Sequence, residues 1–65
     1  MTFTINGEKK DSGAQTVLAL LNEMDINPAG VAVEVNLSII KKKDYESFRL
    51  KEGDSIEIVN FVGGG

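Results

Sequence analysis

Only one stretch of this chain repeats its apolar residues at helical spacing. Val17, Leu20, Leu21 and Met24 fall at i, i+3, i+4 and i+7, and Leu18 widens the stripe. Thr16 stands where a side-chain oxygen can cap the first free N–H groups. Pro28 and Gly30 bar continuation beyond Asp25 to Asn27. The spacing predicts one helix of about nine to eleven residues. Elsewhere apolar residues alternate at period two, the spacing of strands. A chain with one amphipathic helix and several half-buried strands closes its core by laying the helix across one face of a single sheet.

Thr2 to Asn6 puts Phe3 and Ile5 on one side. Asn6-Gly7 supplies two residues that accept positive φ, as a type I′ hairpin turn requires. Glu8 to Asp11 is then a short edge strand whose lysines discourage further pairing. Val31, Val33 and Val35 alternate with Ala32, Glu34 and Asn36. Ile39-Ile40 reads as a short strand, Asp44 as the cap of a helical turn, and Phe48 to Leu50 as another short strand. After the turn Lys51-Glu52-Gly53-Asp54, Ser55 to Val62 is the last and most apolar strand.

This order suits a β-grasp, an α+β fold with a mixed sheet of four to five strands and one helix packed on one face. Its first and last long strands would lie parallel at the centre. The domain would span residues 1–62, with Gly63, Gly64 and Gly65 as a flexible tail. Ile56 and Ile58 would face the helix, and Val59 and Phe61 the open face, within a small apolar patch. Val59, Phe61 and Val62 carry both a core and a partner-binding reading. Phe61, next to the tail, is the residue on which an aromatic anchor would fall.

Composition removes most catalytic classes. With 42% hydrophobic and 26% charged residues the chain is expected to fold. It has no cysteine and no histidine, so zinc sites, thiol nucleophiles and imidazole-based triads have no residues to build them. Tyr45, Ser38, Glu8, Glu34, Glu52 and Asp54 do not assemble a base, an orienting group and oxyanion donors, and read as surface or turn residues. A net charge of -3 gives no basic face for nucleic acid. No apolar run approaches the roughly 20 residues of a membrane span, and the start lacks a signal-peptide pattern. A cytoplasmic location without a membrane partner is expected. Lys41, Lys42 and Lys43 form the one basic cluster, either a solvated loop or a docking contact for an acidic partner.

The ending Gly63-Gly64-Gly65 is the most specific feature. Glycines bury no side chain and lose the most freedom on ordering, so the run reads either as a frayed terminus or as a thin arm reaching about 10 Å. A terminal carboxylate on that arm is ionised at neutral pH and a poor electrophile. If a partner supplies ATP and magnesium, it can attack the α-phosphate, expel pyrophosphate and become an acyl-adenylate open to a persulfide sulfur. The missing Cβ lets the arm thread a narrow channel.

With its Phe-Thr-Ile-Asn-Gly hairpin, Thr-Val-Leu-Ala-Leu-Leu helix, Val-Ala-Val-Glu-Val-Asn strand and Glu-Ile-Val-Asn-Phe-Val-Gly-Gly-Gly ending, the chain resembles the ThiS-type sulfur carriers of thiamine biosynthesis, ubiquitin-like β-grasp proteins. The resemblance implies that Gly65 carries a glycyl adenylate and then a 1-thioglycine thiocarboxylate, with Gly64 and Gly63 entering partner active sites. It implies an E1-like, ThiF-type adenylyltransferase using ATP and Mg, a persulfide sulfur donor and a ThiG-type thiazole synthase, with no cofactor bound by the chain itself. The middle of the chain departs from the family pattern: Val35-Asn36-Leu37-Ser38 and Ile39-Ile40-Lys41-Lys42 stand where many members read Val-Asn-Gly-Glu and Ile-Val-Pro-Arg, and Asp44 with Tyr45 where they have an acidic residue with Trp. Leu37 replaces a turn glycine, and Lys42 replaces an arginine, which keeps the charge but loses the planar fork of a partner contact. Related readings are a carrier for molybdopterin synthesis, usually longer and with prolines before the glycines, a ubiquitin-like modifier forming isopeptides, and a binding module with an idle tail.

Overall fold

The computed structural model describes residues 1–61. Strands β1 (Thr2–Ile5) and β2 (Glu8–Asp11) form the expected antiparallel hairpin, with Asn6 at φ 50° and Gly7 at φ 84°. All four β2 residues are exposed. Helix α1 (Val17–Glu23) starts at Thr16, whose hydroxyl accepts from the Ala19 N–H at 3.1 Å. It has 7 residues, fewer than the spacing predicts. Asp25 turns to φ 61°, so the Ile26 N–H reaches the Leu21 carbonyl at 2.8 Å and the Asp25 N–H reaches that of Asn22 at 3.1 Å. This pair of bonds closes the helix, and Ile26 folds back onto the core. Pro28 does not end the helix; it opens a 3₁₀ turn, Pro28–Gly30.

Strands β3 (Val31–Val35) and β4 (Ser38–Ile40), a second 3₁₀ turn (Lys42–Asp44) and β5 (Ser55–Asn60) complete the chain as described. The five-stranded sheet runs β2-β1-β5-β3-β4, with β1 and β5 parallel and the other pairs antiparallel. Val17, Leu20 and Leu21 of the helix pack on the inward side chains Phe3, Ile5, Val31, Val33, Val35, Ile40 and Ile56, all buried. Ile58 is half-buried against the same cluster. This is the expected β-grasp with one helix on one face.

Several local expectations change where distant segments decide the outcome. Phe48 to Leu50 forms no strand; it makes one bridge, Thr16 to Arg49. Its backbone bonds serve the helix start, with Val17 N–H donating to Phe48 O at 3.1 Å and Leu50 N–H to Gln15 O at 2.9 Å. Asp44 lies inside the second 3₁₀ turn, and its carbonyl, not its carboxylate, accepts from Ser47 and Phe48. Strand β5 ends at Asn60, and Val62 falls outside the described residues.

Tyr45, expected at the surface, is buried, and its hydroxyl donates to the Val31 carbonyl at 3.1 Å. Asp54 is also buried: its carboxylate accepts from the Lys51 N–H at 2.8 Å and the Asn36 amide at 2.9 Å. Asn36 in turn accepts from the Ser55 N–H at 2.9 Å. These bonds hold the β3–β4 turn, where Asn36 at φ 51° and Leu37 at φ 72° keep type I′ geometry despite the leucine. The register Val35 opposite Ser38 leaves exactly those two residues to reverse the chain. No helix among the described residues is long and apolar enough to cross a membrane.

Burial raises the Tyr45 phenol above its ordinary value of 10.0. The folded chain therefore holds this proton more tightly than the unfolded chain. Its contribution is complete below about pH 10 and is lost as pH rises through the folded value. Tyr45→Phe should cost about 1 kcal/mol at neutral pH and flatten the alkaline loss of stability. Denaturant unfolding on either side of pH 10.0 checks both effects, and absorbance titration isolates the ionisation because the chain has one tyrosine.

Candidate functional site

Strand β5 lies between β1 and β3, so its carboxyl-terminal end is held from the middle of the sheet. Beyond the last paired residues, Val31 and Asn60, the Phe61 N–H donates to the Gly30 carbonyl at 3.0 Å. Gly30 ends a braced turn: Pro28 presets its first residue, and the Asn27 side chain accepts from the Ala29 N–H at 3.0 Å. From the second 3₁₀ turn the Lys42 ammonium donates to the Ala29 carbonyl at 3.1 Å. The same ammonium sits 5.4 Å from the centroid of the Phe61 ring, within cation–π range. Three separated segments thus meet at Phe61, two positions before the glycine run begins in the sequence.

Alternation along β5 divides its side chains as expected. Ile56 faces the helix and is fully buried, while Val59 is 58% and Phe61 47% exposed on the opposite face. Val59, Phe61 and Lys42 share this end of the molecule, and Lys42 and Phe61 touch. Lys41 and Lys43 are exposed. Val62, Gly63, Gly64 and Gly65 lie outside the described residues. Sequence reasoning missed Asn27, Ala29 and Gly30 as parts of the anchor. Their signal was present, since an Asn-Pro step followed by Gly marks a braced turn as well as a helix stop. Among the described residues no group of three or more His, Cys, Asp or Glu side chains could hold a metal ion. What the arrangement does is fix the backbone at Phe61, where β5 has ended.

The strand order, the single helix and a glycine run that follows the central strand define a β-grasp domain of the ubiquitin-like class. The chain belongs to the ThiS family, whose pattern matches residues 2–65. The crystal structure of a thiamine biosynthesis protein (ThiS) from Geobacter metallireducens aligns with a TM-score of 0.85 at 30% identity, covering 100% of both chains. The sulfur carrier protein ThiS of Bacillus subtilis is 46% identical over 57 residues, 88% of this chain and 83% of that one. A thiazole synthase of Paramagnetospirillum magneticum is 46% identical over 66 residues. The match takes in 100% of this chain but 20% of that protein, so the chain spans about a fifth of its length.

Because Phe61 is half exposed and held largely through its backbone, Phe61→Ala should lower stability by no more than about 1 kcal/mol. Ile56→Ala, which empties a fully buried position, should cost about 2–5 kcal/mol. Urea unfolding of the two variants checks the contrast, and equal losses would make Phe61 a core residue.

Proposed function

We propose that this chain is a sulfur carrier of thiamine biosynthesis, a co-substrate of partner enzymes whose own reactive group is the Gly65 carboxylate. The observation that carries the reading is the glycine run Gly63-Gly64-Gly65 following a central strand pinned at Phe61. Membership of the ThiS family and the Bacillus subtilis relative named a sulfur carrier protein support it. The reading requires Gly65 to end the chain.

An ionised carboxylate resists attack at carbon and has to be activated first. An E1-like, ThiF-type adenylyltransferase would supply ATP and magnesium. A Gly65 oxygen attacks the α-phosphorus, pyrophosphate leaves, and the glycyl adenylate forms. A persulfide sulfur then attacks the acyl carbon and AMP departs. A thiol cleaves the new S–S bond, leaving a disulfide on the donor side and 1-thioglycine at Gly65. The chain's own contribution is positional. Strand β5 and the bonds at Phe61 hold the root of the arm, Val59, Phe61 and Lys42 present the surface a partner meets there, and glycines without Cβ atoms pass a narrow channel.

For the sulfur acceptor we propose a ThiG-type thiazole synthase. Relatives named thiazole synthase contain segments 46% and 39% identical to this chain over its whole length. Dependence on ATP fits a cytoplasmic setting.

Incubation with ATP, magnesium, a sulfide source and the adenylating enzyme, followed by intact mass and terminal fragmentation, tests the proposal. One oxygen should be exchanged for sulfur, at Gly65 alone. Gly64→Val should slow loading by at least about tenfold, because a branched side chain misplaces the reacting carboxylate. An unchanged terminus, with an enzyme active on another carrier, would falsify the thiocarboxylate mechanism.

A further inference from the structure

Leu37 combines two features that nothing within the domain repays. A leucine at φ 72° is strained, since the left-handed region crowds its Cβ against the backbone. Its side chain is also 90% exposed, the most open of the large apolar residues described. Ile39, two residues on, is 74% exposed and points to the open face, opposite the inward Ile40. The turn that carries Leu37 lies beside the start of β5, where the Asn36 N–H donates to the Ser55 carbonyl at 2.7 Å, and Ser55 is six residues before Phe61, so Leu37 stands about 20 Å from Phe61 along the strands. It belongs to a different part of the surface from Lys42 and Phe61.

Between these aliphatic residues and Val59 the open face carries a charge feature. Glu34 of β3 is paired with Ile39 on one side and directly opposes Glu57 of β5 on the other. Two carboxylates facing each other across strands repel. The carboxylates engaged in hydrogen bonds among the described residues are those of Asp11, Glu52 and Asp54, and neither Glu34 nor Glu57 is one of them. One guanidinium placed over the pair would satisfy both, and aliphatic rims at Leu37, Ile39 and Val59 would exclude water around it. A second copy of this chain does not fit through the same face, because two open faces in contact would set four carboxylates together.

We propose that this far half of the open face docks a thiazole synthase, through an arginine of the synthase seated between Glu34 and Glu57 and a pocket that receives Leu37. The choice of partner rests on the sulfur-carrier reading above and on the relatives that hold this domain within a thiazole synthase chain, where docking partners stay at high local concentration. The face then retains the synthase independently of where the tail is in its reaction.

The test is binding of the full chain to purified thiazole synthase at low and moderate salt, beside melting temperatures. Leu37→Gly should melt several degrees higher by relieving the strain and bind about tenfold or more weakly. Glu57→Gln should also melt higher, bind about tenfold more weakly and lose part of the salt dependence. Lys10→Gln, on the far edge strand, should bind as the original chain does. The opposite signs of stability and affinity separate docking from folding. Affinities of Leu37→Gly and Glu57→Gln within twofold of the original, or no binding by the original chain, would overturn the proposal. Sulfur loading at Gly65 is scored separately: a chain that loads but does not dock refutes this inference alone, and one that docks through Leu37 but never loads refutes the carrier chemistry alone.

Discussion

Everything in this domain hangs on the parallel pairing of its first and last strands. Thr4 donates to the Asp54 carbonyl at 3.0 Å and Asn6 to that of Ile56 at 2.9 Å, which joins residues some 50 positions apart at the centre of the sheet. The Asn6 side chain extends the pairing past the hairpin turn, accepting from the Ile58 N–H at 2.7 Å and donating to its carbonyl at 3.2 Å. Helix α1 then seals Phe3, Ile5 and Ile56 from above. Remove this closure and the β1–β2 hairpin parts from the three strands β5-β3-β4, while the helix loses Phe3 and Ile5 from the face it covers. So small a core leaves little room for partial structures, and the domain should fold as one unit.

The same closure positions the candidate site. A strand flanked on both sides cannot slide without breaking two ladders, so the place where β5 ends is set by the whole sheet. The residues around Phe61 refine that placement: a carbonyl from one 3₁₀ turn, an ammonium from another, and a ring partly shielded by the ammonium. None of these contacts is deeply buried. They fix the course of the backbone at Phe61, and the core bears the stability.

Much of this was legible in the sequence because it is local. Period-two alternation assigned Ile56 and Ile58 to one face and Val59 and Phe61 to the other, and Asn6-Gly7 and Thr16 announced the hairpin and the helix cap. The failures share a cause. The helix ends early because Asp25 accepts a left-handed conformation that lets Ile26 reach the core, and Phe48 to Leu50 spends its bonds on the helix start. Tyr45 and Asp54 are buried because distant elements close over them, with Val31 above the phenol and Asn36 beside the carboxylate. A polar residue in a turn carries no mark of what folds against it. For the site, exposure could be read from strand parity, but the meeting of Lys42, Ala29 and Phe61 depends on a register that only the folded sheet sets.

Parallel terminal strands have a mechanical consequence. A partner that grips the arm beyond Phe61 and pulls, while the amino-terminal end is held, draws β5 and β1 in opposite directions along their axes. Their hydrogen bonds are then loaded together, in shear, where a hairpin pulled from its open end would give way bond by bond like a zip. Forced opening is governed by the barrier to unfolding rather than by equilibrium stability. A domain with a modest core can therefore resist force applied along this axis for longer than its equilibrium stability alone would suggest.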